Sequence, residues 1–142
     1  KKAVKLLKQN DIFAQALFII GERKDTSESL AISRMYLDEL DPDFAIFAIL
    51  TPFPGTKIFE DAKQKGWIKD SNWSNYDMIH AIMPTETLTT NEVQKELYNF
   101  YRSFYGSWRR RLVGIFSRNE IKRRIFWHML GRGIIREVQS LI

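Results

Sequence analysis

The sequence predicts an α/β fold in which two parallel strands alternate with helices and an all-helical tail follows. Two apolar runs of strand length, Ile12–Ile20 and Phe44–Leu50, are each bordered by helix-like patterns. From Thr89 onward only helical patterns occur. The 142 residues are 44% hydrophobic and 27% charged, a balance typical of a folded domain. We expect residues 1–83 to hold the α/β part and residues 84–142 the helical extension.

The first predicted elements are a helix, a strand and a second helix. An amphipathic pattern begins at the first residue and ends near Asn10. The run Ile12–Ile20 is rich in aromatic and branched residues, which favours a buried strand that ends at Gly21. Residues 25–28 then supply N-capping side chains and a first-turn acid for a helix that reaches about Leu40.

The second apolar run predicts a strand of the same kind, because strands that are apolar on both faces are typical of parallel sheets covered by helices. A turn with two prolines, Thr51–Thr56, leads into a short helix, Lys57–Lys65, that Gly66 terminates. Two strands alone do not form a stable sheet. We therefore expect the chain to be a piece of a larger enzyme, with further strands outside it. Exposed strand edges would also permit self-association.

The second half of the chain is predicted to be irregular as far as Pro84 and helical beyond it. The pair Thr89 and Glu92 forms a capping box for an amphipathic helix whose apolar stripe extends to Trp108. Another capping box, Ser117–Glu120, is expected to open a further helix. The apolar face of that helix is predicted to hold Ile121, Ile125 and Met129, and a last short segment is expected at residues 134–142.

The basic character of the chain belongs to its tail. Residues 1–105 hold thirteen basic and fifteen acidic residues, whereas residues 106–142 hold nine basic and two acidic residues. Four interpretations are open. The arginines form a solvated face on helices whose apolar face covers the sheet; the tail contacts an anionic membrane surface; it binds nucleic acid, for which recognition signatures are missing; or it docks onto another protein part.

Several classes of site are excluded by composition. The sequence contains no cysteine, so no disulfide, thiolate nucleophile or cysteine-ligated cluster exists within it. The two histidines, His80 and His128, are too far apart in sequence to form a local metal-ligand pair, and we expect no metal ligands. The longest apolar run is far shorter than the roughly 20 residues of a membrane span. A cytoplasmic location, with peripheral membrane contact through the tail as an open alternative, is expected.

Two loops follow the carboxyl ends of the predicted strands, where α/β folds bind ligands. In the first, Gly21 permits close approach of a ligand to the backbone and Asp25 accepts a hydrogen bond; the alternative is an ordinary turn with an Asp N-cap. In the second, two prolines fix the turn and present Phe53 to a planar ring. The alternative there is a rigid corner with a buried Phe.

The motifs occur in a characteristic order: Phe18-Ile19-Ile20-Gly21, Asp25-Thr26, Leu40-Asp41-Pro42-Asp43, Thr51-Pro52-Phe53-Pro54-Gly55-Thr56, Gly66-Trp67-Ile68, Asp70-x-x-Trp73, Tyr76-Asp77 and His80. Over about residues 5–105 this series resembles the second half of radical S-adenosylmethionine (SAM) enzymes with an N-terminal cobalamin-binding domain. That group includes the anaerobic magnesium-protoporphyrin IX monomethyl ester oxidative cyclase.

The resemblance implies a fold and a set of cofactor contacts. The chain would hold the last two strands of a partial (β/α)6 TIM-like barrel, followed by the variable helical tail. SAM would then contact Gly21 and Asp25 in the first loop, and its adenine would pack on Thr51, Pro52 and Phe53 in the second. The group usually has Gly-x-Pro-Gly-Glu-Thr in the first loop, where this chain has Asp25 in place of the Glu.

The resemblance also implies a 4Fe-4S cluster and cobalamin in the intact parent, both held by missing N-terminal portions. Without the cluster cysteines this chain alone would not start the radical reaction. Tyr76 and His80 are candidates for substrate contact or proton transfer, although a lone His in an aromatic segment is also compatible with a structural role. Two alternatives are a non-enzymatic module that uses its basic tail on a membrane or protein partner, and a domain that dimerises to complete its sheet.

Overall fold

The computed structural model of the chain describes residues 1–68 and 72–132. Two strands, β1 (Gln15–Ile20) and β2 (Phe44–Ile49), form a parallel sheet in which Gln15 lies opposite Phe44 and Ile20 opposite Ile49. The predicted α/β class and the parallel pairing are therefore confirmed. The first strand begins three residues later than predicted, because residues 12–14 lead into the sheet without joining its ladder.

Six α-helices accompany this sheet in the described part of the chain. Helix α1 covers Lys2–Gln9, α2 covers Ser27–Leu40, α3 covers Lys57–Gln64, α4 covers Thr90–Tyr105, α5 covers Trp108–Ile115 and α6 covers Glu120–Arg132. A single 3-10 turn at Trp73–Asn75 interrupts the irregular segment. The order alternates helix and strand up to α3 and is helical afterwards, as predicted. The segment expected at residues 134–142 lies outside the described residues.

Local sequence signals explain where two of these helices begin and end. Thr26 caps α2 by accepting a hydrogen bond from the Ser29 amide, and Asp41 ends that helix in the left-handed region at φ 46°. The capping box of Thr89 and Glu92 at the start of α4 is confirmed, since each side chain bonds the backbone amide of the other residue.

Two details of the helical tail were predicted wrongly. The stripe expected to reach Trp108 in one helix ends at Tyr105, because the extended backbone of Ser107 separates α4 from α5 and leaves Trp108 exposed. The N-cap of α6 is Asn119 rather than Ser117: the Asn119 side chain accepts from the Lys122 amide, 3.0 Å away, while Ser117 accepts from Asn119 itself.

The buried face of α6 also differs from the predicted one. Lys122 and Phe126 are buried, whereas Ile121 lies on the exposed side. Of the predicted set, Met129 packs against the core. The difference arises because α6 packs on α5 through Gly114. A β-carbon at Gly114 would lie only 2.2 Å from the Phe126 ring, so the two helices approach more closely there than any side chain allows. We call α5 and α6 together the tail hairpin.

One hydrophobic core joins the sheet to the helices. Helix α4 covers one face of the sheet and α2 packs beside it. The core consists of Ile20, Leu30, Leu37, Ala45, Phe47, Ile49, Leu88, Val93, Leu97, Phe100, Phe104 and Tyr105. Residues from both sides of the expected division at residues 83–84 contribute to it, and the division itself stays a prediction.

The opposite face of the sheet is uncovered in the described part of the chain. Leu17 and Ile19 of β1 are 71% and 63% exposed, and Ile46 of β2 is 38% exposed. The sequence pattern predicted strands covered on both faces, but only the face that carries Phe18 and Phe47 is packed against helices. This leaves an apolar sheet surface that the described residues do not fill.

The two edges of the sheet differ. The Phe44 amide donates to Ala14 O, just before β1, and the Leu50 amide donates to Ile20 O at its end. The backbone groups of even-numbered residues of β2 therefore face β1, and those of odd-numbered residues point outward. Most of those outward groups have a partner. Tyr105 bonds both backbone groups of Ala45, Tyr101 donates to Phe47 O, and Met78 O accepts from Ile49. The edge of β2 is therefore closed.

The outer edge of β1 is open by comparison. The same ladder geometry directs the backbone groups of Gln15, Leu17 and Ile19 away from β2. Within residues 1–68 and 72–132 no hydrogen bond outside the sheet reaches these groups. Further strand pairing, whether with another segment or with a second copy, is consequently available at β1 and blocked at β2.

The tail hairpin is anchored at the opposite end of the sheet from the strand-end loops. Asp43, just before β2, accepts from the Ala14 amide and from the Lys122 ammonium group, 2.9 and 2.6 Å away, and both charged side chains are buried. Arg110 bridges Asp38 and Asp41 at the end of α2. None of the helices in the described ranges is long and apolar enough to cross a membrane.

Candidate functional site

The two loops singled out from the sequence lie side by side at the carboxyl end of the sheet. The Leu50 amide donates to Ile20 O, 2.8 Å away, so the chain leaves both strands at the same level. Gly21 has φ +83°, and a β-carbon there would lie 3.1 Å from Val93 and 3.4 Å from Ile49. Glycine is thus required both by the left-handed backbone and by the tight approach of α4.

Asp25 holds the first loop in shape. One carboxylate oxygen, Oδ2, accepts hydrogen bonds from the amides of Gly21 and Glu22, 2.8 and 3.0 Å away. The alternative interpretation of Asp25 as the helix N-cap is wrong, because Thr26 caps α2. Oδ1 accepts no hydrogen bond within the described residues, so this oxygen is the part of Asp25 that remains for a ligand.

Arg23 is a contributor to the site that the sequence did not single out. Its guanidinium lies 3.9 Å from the centre of the Trp67 ring and donates to Pro84 O. Its own carbonyl accepts from the Glu86 amide. The first loop is therefore tied to the segment that leads into α4. The arginine was hard to recognise because its partners are 44 and more positions away in sequence.

The second loop exposes one aromatic ring above a buried base. Thr51 and Pro52 are buried, and Thr51 donates to Ile49 O. Phe53, in contrast, is 41% exposed, so the alternative of a buried Phe at a rigid corner is wrong. The backbone carbonyl of Phe53 accepts hydrogen bonds from the amide and the hydroxyl of Thr56. The ring is therefore the group of Phe53 that is available to a planar ligand.

Tyr76 and His80 belong to a segment fixed beside the end of β2. Met78 O accepts from the Ile49 amide, 2.7 Å away, and the Gln94 side chain bonds both Ile79 O and the Ala81 amide. The Tyr76 ring packs on Trp73, with ring centres 4.8 Å apart. The structure thus places this segment at the carboxyl end of the sheet, where the two loops also lie.

His80 is oriented by Asp77, a partner the sequence analysis quoted only as part of a motif. The ring nitrogen Nδ1 lies 2.8 Å from Asp77 Oδ2, while Oδ1 accepts from the amides of Ile79 and His80. Burial raises the pKa of Asp77, but these hydrogen bonds outweigh it and hold the pKa below its ordinary value. The charged carboxylate is oriented to accept from Nδ1, which leaves Nε2 as the ring nitrogen available for a further hydrogen bond. The signal was the spacing Asp-x-x-His.

Comparison with known proteins gives relatives for most of the chain. No protein-family model matches it. An uncharacterized methyltransferase of Pyrococcus horikoshii is 35% identical over 72% of this chain, and the anaerobic magnesium-protoporphyrin IX monomethyl ester cyclase of Cereibacter sphaeroides is 33% identical over 74%. A bacteriochlorophyllide d C-12(1)-methyltransferase of Chlorobaculum tepidum is 28% identical over 70%.

The matched segment is a small part of each relative. It spans 22% of the Pyrococcus protein, 17% of the Cereibacter cyclase and 21% of the Chlorobaculum methyltransferase. The resemblance that the motif series indicated, to the group that includes the anaerobic cyclase, is confirmed by these relatives.

Proposed function

Because about 70% of the chain is homologous to one segment of these cyclases and methyltransferases, we propose that it is part of a cobalamin-dependent radical SAM enzyme. The chain would contribute the last two strands of a partial (β/α)6 barrel, one wall of the SAM pocket and a helical extension. The observation that carries this proposal is the homology, combined with two candidate loops that meet at one carboxyl edge of a parallel sheet.

The two edges of the sheet support a barrel of which this chain is the final part. The edge of β2 is closed by tyrosine hydroxyls and Met78, whereas that of β1 is open. Additional parallel strands would join at β1 and bury Leu17 and Ile19, which the described residues leave exposed. The final strand of a partial barrel pairs with a neighbouring strand on one side only, so its other edge has to be closed. Here β2 has the closed edge, and β1 has the edge that is available for pairing.

The residues at the carboxyl edge fit part of a SAM molecule. The exposed Phe53 ring is suited to packing on the adenine, and Gly21 keeps the neighbouring backbone free of a side chain. Asp25 retains Oδ1 for a hydrogen bond from SAM. Bound SAM would supply the carbon radical of such an enzyme. The residues of this chain bind and orient it.

The cluster and the cobalamin would be held by other parts of the parent. The chain has no cysteine, so its residues do not fit a 4Fe-4S cluster, and no step through the cluster is assigned to them. The names of four relatives refer to magnesium-protoporphyrin IX monomethyl ester or to bacteriochlorophyllide d. We extend this to a tetrapyrrole as the substrate class, with His80 Nε2 at the edge of the site as a proton acceptor.

Two experiments test this proposal. The open reading frame of the parent should encode a Cys-x-x-x-Cys-x-x-Cys motif before the position of Lys1, and its absence would make the assignment wrong. In the intact parent, Phe53→Ala should weaken SAM binding about fivefold or more in equilibrium dialysis, because one stacked base is lost. Phe116→Ala is the control, since Phe116 is also an exposed phenylalanine but lies in the tail. If the two variants bind SAM with equal affinity, Phe53 is not part of the SAM pocket.

A further inference from the structure

The cations of the tail hairpin differ in their partners. Arg111 and Arg123 donate to backbone carbonyls, and Arg124 pairs with Glu120 on the same helix. Arg110 and Lys122 point inward and are neutralised by Asp38, Asp41 and Asp43. These pairs fix the hairpin against the rest of the chain. Arg109 and Arg118, by contrast, have no acidic partner within the described residues.

The outward side of the tail hairpin combines arginines with exposed aromatic residues. Arg109 and Arg118 are exposed, and their side chains form no hydrogen bond or ion pair within the described residues. Trp108 and Phe116, eight positions apart at the two ends of α5, are 70% and 78% exposed, and Trp127 of α6 is also exposed. The interpretation in which the tail's apolar face covers the sheet therefore does not account for these residues.

The composition of this side matches an anionic membrane surface. Residues 106–132 carry eight basic residues and one acid, Glu120. Arg110 and Lys122 pair with acids outside the hairpin and Arg124 pairs with Glu120, which leaves an excess of basic residues on the exposed surface. Tryptophan and phenylalanine favour the boundary between headgroups and acyl chains, and arginines are attracted to anionic headgroups. A nucleic acid would meet the arginines but gives no reason for this many exposed aliphatic side chains. Leu112, Val113, Ile121 and Leu130 are among them.

We propose that the outward side of the tail hairpin is a peripheral binding surface for anionic lipid membranes. The hairpin lies flat on the surface, with Trp108 and Phe116 entering the interface and Arg109 and Arg118 binding the headgroups. Because the hairpin is anchored at the amino ends of the strands, the membrane lies on the side of the sheet away from the two strand-end loops. This inference does not depend on the proposed enzymatic function.

The test is co-sedimentation of the full 142-residue chain with phosphatidylcholine vesicles, with and without phosphatidylglycerol. Binding is expected only with phosphatidylglycerol, with a blue shift of tryptophan emission, and it should weaken as salt is added. Arg109→Gln with Arg118→Gln should reduce affinity about 25-fold, from about fivefold for each arginine. Trp108→Ser with Phe116→Ser should reduce binding at least as much.

Two control variants keep the result specific to the tail hairpin. Lys57→Gln with Lys63→Gln removes the same charge from exposed positions on α3, and Ile32→Ser with Met35→Ser removes two equally exposed apolar residues from α2. Both controls should bind as the unchanged chain does, and circular dichroism should show that every variant is folded. Equal losses in the controls and the hairpin variants would overturn the proposal. The proposal would also be overturned by a folded chain that does not bind anionic vesicles, or by a chain that binds RNA instead of these vesicles.

Discussion

The hydroxyl of Tyr105 donates to the carbonyl oxygen of Ala45, 2.6 Å away, and accepts from the amide nitrogen of the same residue, 3.1 Å away. A side chain of α4 thus occupies the positions that a neighbouring strand would take. Tyr101 repeats the device two residues along β2, at Phe47 O. Since an unpaired strand edge invites association, helix α4 protects this edge while it fills the core.

Replacing Tyr105 by Phe should lower the free energy of unfolding by about 1–3 kcal/mol, because the two buried backbone groups of Ala45 lose their partner. Urea titration followed by circular dichroism measures the change. Tyr36→Phe is the control: Tyr36 is exposed on α2, and its loss should change stability by less than about 0.5 kcal/mol. Similar values for both variants would mean that the hydroxyl does not close the edge.

Stability should fall at alkaline pH. Burial raises the pKa of Tyr105 well above its ordinary value and raises that of Tyr101 in the same direction, against the opposing effect of their hydrogen bonds. In the unfolded chain these groups ionise near pH 10, while in the folded chain they remain neutral. The two tyrosines therefore contribute fully to the free energy of unfolding below about pH 10, and this contribution is lost as the pH rises above that value.

Melting temperatures recorded from pH 8 to pH 11 should show this decline, and it should be smaller in Tyr105→Phe than in the unchanged chain. Lysines also titrate in this range, but they are common to both proteins. A decline of the same size in the variant would assign the alkaline loss to other groups.

The parts of the fold predicted correctly are those with local signals. Thr89 and Glu92 are three residues apart and bond each other's backbone, so the start of α4 was visible in the sequence. Ser117 and Asn119 are both suitable N-cap residues, and in the structure Asn119 caps α6. Which face of α6 is buried depends on the close packing of Gly114 on Phe126, which the sequence does not show.

The missed parts of the site depend on contacts between distant positions. Gly21 and Asp25 could be found because each has a local role in one turn. The tie between Arg23 and Trp67, and the closure of β2 by Tyr101, join residues more than 40 positions apart. Apolar periodicity marks a tyrosine as part of the core, but it does not reveal that the hydroxyl completes a strand edge.

Gly21→Ala should destabilise the chain more than Gly55→Ala. Both glycines have a positive φ near +80°, but a β-carbon at Gly55 meets no atom within 4 Å, whereas at Gly21 it would press on Val93. The backbone strain, about 1–2 kcal/mol, is common to both variants, and the difference between them reports the packing of α4 on the strand end. Equal free energies of unfolding for the two variants would show that α4 shifts to accommodate a β-carbon at Gly21.

Lys122→Met should cost about 3 kcal/mol or more, because it leaves the Asp43 carboxylate buried without its charged partner. Lys5→Met, at an exposed position on α1, is the control and should be close to neutral. In a double-mutant cycle, adding Asp43→Asn should restore part of the loss. If the second change adds its full separate cost, the two groups do not interact.

The position of Asp43 has a consequence for cooperativity. One carboxylate binds the backbone just ahead of β1 and a side chain of α6, two parts of the chain more than 100 residues apart. Undocking of the tail hairpin would free this carboxylate and loosen the entry to the sheet in the same opening event. Hydrogen exchange at the Ala14 amide would then occur at the rate at which the hairpin detaches, so a single proton near the amino terminus reports on the far end of the chain.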